Sequence, residues 1–177
     1  GTNRGYTITL TSGGGGGGGV TLPQPQKKWT ILVYLDADNN LSSYGDYDIN
    51  EMKAVGSTSD INIVALWDNS GSTHGYYYIQ SGVATLLQDL GEINMGSETT
   101  AKNFVDYATT NFPADHFMWI FWNHGGAVDR AKGVCWDDTN SSDHLSEVEQ
   151  KNTITYFYNK IGKAIDVVAY DACLMAC

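Results

Sequence analysis

The stretch FMWIFWNHGG, residues 117–126, decides the fold of this chain. Six consecutive apolar residues predict a strand that is buried on both faces, and the polar Asn123-His124 followed by two glycines ends it. Three other segments have the same form: residues 29–35 before Asp36, residues 61–67 before Asp68, and residues 165–170 before Asp171. Strands covered on both faces are typical of a parallel sheet that lies between layers of helices.

The segments between these strands supply the helices and one hairpin. Residues 41–55, 97–111 and 145–160 predict helices, the first capped by Asn39 or Asn40. Residues 75–80 and 83–90 alternate between polar and apolar and predict a hairpin. The order predicts an α/β fold, a three-layer α/β/α sandwich with a mostly parallel sheet.

The composition of residues 1–26 indicates a segment separate from the rest of the chain. Residues 6–10 alternate like a short strand, seven glycines follow at 13–19, and Pro23 and Pro25 stiffen what comes next. Such a composition is typical of a linker. We therefore expect an N-terminal segment and linker at 1–26, and one compact domain at 27–177 that begins near Trp29.

Composition narrows the function classes. Twenty acidic residues against ten basic ones give a net charge of −10. This charge argues against nucleic acid as a partner and favours cationic ligands. No apolar run has the length of a membrane span. Cys135, Cys173 and Cys177 are too few for a disulfide framework or a zinc site, so we expect no metal.

His124 and Cys173 are the candidate catalytic residues. They are 49 positions apart in the sequence, but each follows a buried strand, and the carboxyl ends of parallel strands meet in one crevice. An imidazole beside a thiol can take its proton and later protonate a leaving amine. The backbone amides of Gly125 and Cys173 are the candidate oxyanion donors.

Plainer interpretations stay open for these residues. A cysteine near a strand end can be an inert small hydrophobe, and a histidine before two glycines can be a loop residue. We expect the other three histidines, His74, His116 and His144, to be solvated loop residues. The run Asp36–Asn40 begins like a calcium loop but lacks its glycine and its glutamate, which favours helix capping. Asp137, Asp138 and Asp143 remain a possible cation site.

Four motifs together resemble the clostripain family of cysteine peptidases. They are YLDADNNL at 34–41, NHGG at 123–126, GVCWDD at 133–138 and DACLM at 171–175. The resemblance implies a caspase-like fold and a secreted or cell-surface bacterial endopeptidase that cleaves after Arg or Lys. It implies that His124 and Cys173 form a catalytic dyad and that Asp171 binds the basic P1 side chain.

The resemblance also implies a zymogen that is activated by cleavage after the histidine strand, where Arg130 and Lys132 are candidate processing sites. Protein or peptide substrates and the chain's own C-terminal part are then the expected partners. Calcium activation belongs to the family, although no calcium motif here is convincing. The sequence ends four residues after Cys173, so the domain is expected to be truncated, without a second S1 acid. The alternative function is a non-catalytic caspase-like binding or scaffold domain.

Overall fold

A computed structural model describes residues 20–126, 133–173 and 175 of the chain. The elements of this part follow in chain order: β1 (Lys27–Ala37), α1 (Ser42–Val55), β2 (Ile61–Asn69), β3 (His74–Gln80), β4 (Val83–Asp89), α2 (Glu98–Asn111), β5 (Ala114–Trp122), β6 (Gly125–Gly126), β7 (Gly133–Asp137), β8 (Asp143–Ser146), α3 (Glu147–Ile161) and β9 (Val167–Asp171). The processing candidates Arg130 and Lys132 lie outside the described residues.

The main sheet has six strands in the order β4-β3-β2-β1-β5-β9. The four strands β2, β1, β5 and β9 run parallel to one another. The hairpin β3–β4 adds two antiparallel strands at one edge. A second, three-stranded sheet, β6-β7-β8, follows the end of β5. The predicted α/β fold with a mostly parallel sheet is therefore confirmed.

Alternate residues of β1 divide the core into two layers. Leu32 and Tyr34 belong to the larger layer, which the buried side chains of α2 and α3 complete. Val33 and Leu35 belong to the layer beneath α1. Burial on both faces is why β1 has a continuous apolar sequence rather than an alternating one.

The elements predicted after residue 26 all form, and their bounds shift by a few residues; the short strand expected at 6–10 and the glycine run lie outside the described residues. Helix α1 begins at Ser42, and its N-cap position is Leu41 without a side-chain cap. The Asn39 side chain instead accepts a hydrogen bond from the Leu41 amide at 2.8 Å, so it shapes the turn before the helix. Helix α3 begins later than expected, at Glu147, because Ser146 forms a capping box with Glu149.

Compact structure begins earlier than Trp29. Val20 and Leu22 are buried in the larger core layer, and the Gln24 amide donates to the Asn111 carbonyl at 2.7 Å. Two apolar side chains after the glycine run thus contribute to the core, which a linker composition does not predict. In the part of the chain that the structure describes, no helix is long and apolar enough to cross a membrane.

Candidate active site

The pairing of β5 with β9 brings the two candidate catalytic residues together. These neighbouring strands are parallel, and their last register pair is Trp122 with Asp171. The Asn123 amide also donates to the Asp171 carbonyl at 3.3 Å. His124 and Cys173 each lie two residues beyond the Trp122–Asp171 pair. Both line one open cleft of about 440 Å³ at the carboxyl edge of the sheet.

The imidazole of His124 has a defined partner. Its Nε2 lies 2.8 Å from the side-chain oxygen of Asn40. Because an amide oxygen only accepts hydrogen bonds, Nε2 is the protonated nitrogen. In the neutral ring Nδ1 is then left with a lone pair that can accept a proton. Asn40 thus fixes both the tautomer and the orientation that a general base requires.

The two described cysteines have opposite environments. Cys173 is a free thiol that is exposed in the cleft. Cys135 is fully buried in the larger core layer, where burial raises the pKa of its thiol well above the usual value. Only the thiolate is a strong nucleophile. The cysteine with access to substrate is therefore Cys173.

A close backbone contact joins the two halves of the cleft. A Cβ atom added to Gly125 would lie 2.2 Å from the carbonyl oxygen of Cys173 and 2.7 Å from Cγ of Met175. Any side chain at this position would push the segment after β5 away from the segment after β9. The sequence suggested Gly125 as an oxyanion donor, and the structure adds a steric reason for glycine.

The cleft contains two acids, and its described lining residues include no lysine or arginine. Asp171 comes from the end of β9, as expected, and Asp48 comes from α1. Trp122 Nε1 donates to Asp48 Oδ2 at 2.5 Å. Partial burial raises the pKa of the Asp48 carboxyl, and the charge of Asp171 raises it further. Sequence patterns did not single out Asp48, because it lies within a helix, 123 positions before Asp171.

Asn123, the residue directly before the candidate base His124, is held in place by hydrogen bonds. Its side chain donates to the Asp36 carboxylate and to the Trp136 carbonyl at 3.0 Å. Its oxygen accepts from the Asn39 side chain at 2.9 Å and from the His124 amide. Asn123 is 3 % exposed. The position of His124 is thus tied to the end of β1 and to β7.

A second group of acids lies at the same edge of the sheet, near the ends of β1, β2 and β7. We call Asp38, Asp68, Glu92 and Asp137 the acidic cluster; each offers a carboxylate oxygen, and these oxygens all lie within 4.8 Å of one another. Burial raises the pKa of both Asp68 and Asp137. Of the sequence candidates, Asp137 belongs to the cluster, whereas Asp138 is exposed and Asp143 accepts from Asn94.

The expectation that three histidines lie in loops was wrong, since all three lie in strands; His116 is nevertheless exposed to solvent, as expected. His74 hydrogen bonds to Asp68. His116 lies 2.8 Å from Asp166 and stacks on Trp29. His144 stacks on Trp136 with ring centroids 4.9 Å apart. The partners of His74 and His144 lie opposite them on the neighbouring strand, and those of His116 are distant along the chain, so these contacts depend on strand pairing rather than on a local motif.

The architecture defines a class before any comparison of sequences. A mostly parallel sheet between helical layers, with a histidine and a cysteine at adjacent strand ends, is the caspase-like α/β/α arrangement. The sequence model of the clostripain family matches residues 33–177. The chain therefore belongs to the clostripain family.

Individual relatives agree with this assignment. Over 194 residues the chain is 30% identical to clostripain from Hathewaya histolytica, covering 84% of this chain and 34% of the relative. It superposes with a TM-score of 0.70 and 23% identity on a secreted C11 cysteine protease from Bacteroides thetaiotaomicron bound to an irreversible peptide inhibitor. That match covers 83% of this chain and 43% of the other.

A second solved structure from Bacteroides thetaiotaomicron, a secreted C11 cysteine protease called iotapain, gives a TM-score of 0.66 at 12% identity. It covers 86% of this chain and 48% of that structure. The chain thus spans between a third and a half of the length of the relatives it matches. At these identities the solved structures establish the fold.

Proposed function

We propose that this chain carries the nucleophile and the general base of a secreted cysteine endopeptidase that cleaves after Arg or Lys. The observation that supports this most directly is the shared cleft of His124 and exposed Cys173 at the ends of two adjacent parallel strands. The family membership supports the same chemistry, and the secreted relatives support the location.

The proposed reaction gives each of these two residues one role. His124 Nδ1 accepts the proton of the Cys173 thiol, and the thiolate attacks the scissile carbonyl carbon. The amides of Gly125 and Cys173 stabilise the negative charge on the former carbonyl oxygen. The imidazolium then protonates the leaving amine as the carbon–nitrogen bond breaks. Water, deprotonated by the same imidazole, releases the acid from the acyl-enzyme and restores the thiol.

The acids of the cleft support a preference for basic P1 side chains. Asp171 lies two residues before the nucleophile, and Asp48 lies in the same cleft. The two negative carboxylates repel each other, and a guanidinium or ammonium group of a P1 side chain would attract both. A neutral P1 side chain would leave both carboxylates without a positive partner in the described part of the cleft.

The central test replaces the nucleophile in the full-length protein. Cys173→Ala is expected to lower kcat/KM for a peptide reporter with Arg at P1 by at least about 10³-fold. Cys177→Ala is the matched control and should retain activity. The proposal fails if Cys173→Ala still hydrolyses the reporter at the wild-type rate.

Self-activation at Arg130 or Lys132 is part of the proposal. Both are basic, as the proposed specificity requires. Cys173→Ala should leave the chain uncut on a gel, and the double change Arg130→Gln with Lys132→Gln should do the same while the thiol remains intact. Normal processing of the double variant would exclude both sites.

A further inference from the structure

Helix α1 forms one wall of the cleft. Its residues Tyr44 and Asp48 both line the cleft, and residues at this spacing lie on the same face of a helix, with about 5–6 Å between their Cβ atoms. The helix begins at Ser42, just after Asn40, whose side-chain oxygen contacts His124. Tyr44 therefore lies nearer to the candidate base, and Asp48 lies about 6 Å farther along the helix axis.

Three aromatic side chains line the described part of the cleft, and they differ in how freely a ligand can reach them. Trp122 is 7 % exposed and donates its Nε1 hydrogen to Asp48. Tyr170 stacks on a core phenylalanine, and its hydroxyl donates to Gln150 at 3.0 Å. Tyr44 is 62 % exposed, and its side chain has no hydrogen bond or ring contact with any described residue. The Tyr44 ring is therefore the aromatic surface that the cleft offers to a ligand.

Two carboxylates accompany this ring. Asp48 is its neighbour on the helix, and Asp171 enters the cleft from the end of β9. Burial raises the pKa of the Asp48 carboxyl, and the charge of Asp171 raises it too, so the two groups are close enough to interact. Trp122 Nε1 engages Oδ2 of Asp48, whereas Oδ1 accepts from no described residue. An open carboxylate oxygen and an open ring thus lie side by side.

An arginine side chain can use a ring and a carboxylate at the same time. Its guanidinium is planar, so the N–H groups donate within the plane while the faces stay free to stack on an aromatic ring. A lysine ammonium is a compact, strongly hydrated charge, which gains from the carboxylates but gains less from the ring. A cleft that holds both features therefore distinguishes the two cations by shape.

We propose that the Tyr44 ring stacks on the guanidinium of a P1 arginine, which makes Tyr44 a specificity-determining residue of the cleft. This role rests on the proposed peptidase function, because it requires a basic P1 side chain to enter between α1 and the end of β9. It adds a ranking of the two basic side chains. The acids attract both arginine and lysine, whereas the ring favours arginine.

A second tyrosine of helix α1 separates the effect of position from that of exposure. Single exposed aromatic residues are ordinary on protein surfaces. Tyr47 is 61 % exposed, lies outside the set of residues that line the cleft, and hydrogen bonds to Glu51. Tyr44 and Tyr47 thus have the same exposure on the same helix, but only Tyr44 faces the cleft. Tyr47 supplies the matched control for changes at Tyr44.

The experiment measures equilibrium binding, so it does not depend on turnover. The full-length protein with Cys173→Ala is titrated by calorimetry with one peptide sequence that carries Arg, Lys or Leu at P1. We expect Arg to bind more tightly than Lys, and Lys more tightly than Leu. Adding Tyr44→Ala should lower the ratio of Arg affinity to Lys affinity by about fivefold. Binding of the Lys peptide should change less than about twofold.

Two further variants locate the effect within the side chain and on the helix. Tyr44→Phe keeps the ring and should retain the ratio of the Cys173→Ala parent. Tyr47→Ala should retain it as well. Both tyrosines are exposed, so the thermal midpoint should stay within a few degrees of the parent, which separates a change of selectivity from a loss of folding.

Three results would overturn the proposal. The first is a ratio of Arg to Lys affinity that Tyr44→Ala leaves unchanged. The second is an equal loss in Tyr47→Ala, which would indicate a general effect of the helix surface. The third is a loss in Tyr44→Phe as large as in Tyr44→Ala, which would assign the role to the hydroxyl. Failure of the peptidase proposal gives a different result, because the wild-type protein would then leave the Arg reporter uncut whatever affinities the Cys173→Ala protein shows.

Discussion

The open cleft and the acidic cluster lie at the same edge of one sheet, yet they differ in almost every physical respect. The cleft follows the edge strand β9 and its neighbour β5, and Cys173 is exposed there. The cluster follows the central strands β1 and β2, and three of its four acids are fully buried. Polar residues follow all of these strands. Whether such residues are exposed depends on whether the strand is central or at the edge of the sheet.

The aspartates of the two regions therefore have different surroundings. Asp48 and Asp171 in the cleft are open to a ligand that comes and goes. Asp38, Asp68 and Asp137 are enclosed, and neighbouring donors hold them in place. Asn123 lines the cleft and also donates to Asp36, two residues before Asp38 of the cluster. Because the side chains of the two regions are otherwise separate, a variant can damage one region while leaving the other intact.

Among variants that keep both His124 and Cys173, the largest effect is expected from Gly125→Ala. The new Cβ would lie 2.2 Å from the Cys173 carbonyl, so the two catalytic segments must separate. A displacement of about 1 Å at reacting groups costs about 10²-fold in rate, and we expect a loss of that size in kcat. Gly71→Ala is the control, since its Cβ would meet only Asn69 Oδ1 at 3.3 Å. Unchanged kcat in Gly125→Ala would contradict the close contact.

A smaller effect is expected from Asn40→Ala, which removes the partner of His124 Nε2. The imidazole would lose its fixed tautomer, and kcat should fall about tenfold while KM changes little. Asn40→Asp keeps an accepting oxygen and should recover most of the rate. A fall in KM and kcat together, or no recovery in Asn40→Asp, would show that Asn40 does not act by orienting His124.

Asp48→Asn should alter selectivity more than rate. Losing one carboxylate should lower the ratio of kcat/KM for Arg over a neutral P1 residue by about tenfold, equivalent to about 1.4 kcal/mol. Asp46→Asn, an exposed acid on the same helix, provides the control. If both variants changed the ratio equally, general charge rather than a cleft contact would be the cause.

The smallest effect is expected at Asp166, an acid near the opposite end of β5. This acid has its own basic partners. Asp166 accepts from His116 and from the Phe117 amide, and Lys163 lies 3.5 Å away. The hydrogen bond from His116, followed by that from Phe117, lowers the pKa of Asp166 to about 2. Because the group is largely exposed, Asp166→Asn should cost less than about 1 kcal/mol of unfolding free energy.

The sign of the pH dependence follows from that lowered pKa. An unfolded Asp titrates near 3.9, so the stabilising contribution of Asp166 is fully present above about pH 4 and is lost as the pH falls through about 2. Urea unfolding should show a difference between wild type and Asp166→Asn that is clearly smaller at pH 2.5 than at pH 6. An equal difference at both pH values would contradict the ion pair.

The sequence predicted the parallel strands well, because burial on both faces leaves a continuous apolar run. It also predicted that His124, Asp171 and Cys173 would share an edge, since the ends of parallel strands meet there. It did not predict Asn40 as the partner of His124, the carboxylate of Asp48, or the cluster that joins Asp38 to Asp137. Those contacts depend on how a helix and a second sheet pack against the edge, and neither leaves a local pattern.

The register of β5 against β9 also bears on when the chain gains reactivity as it folds. His124 and Cys173 are neighbours only after segments 49 residues apart in the sequence have paired, and such non-local pairing forms slowly because a long loop must close first. A newly made chain therefore passes through its early compact states with a thiol but without an imidazole beside it. Under the proposed function, this order of folding would delay the moment at which the chain can cut a polypeptide.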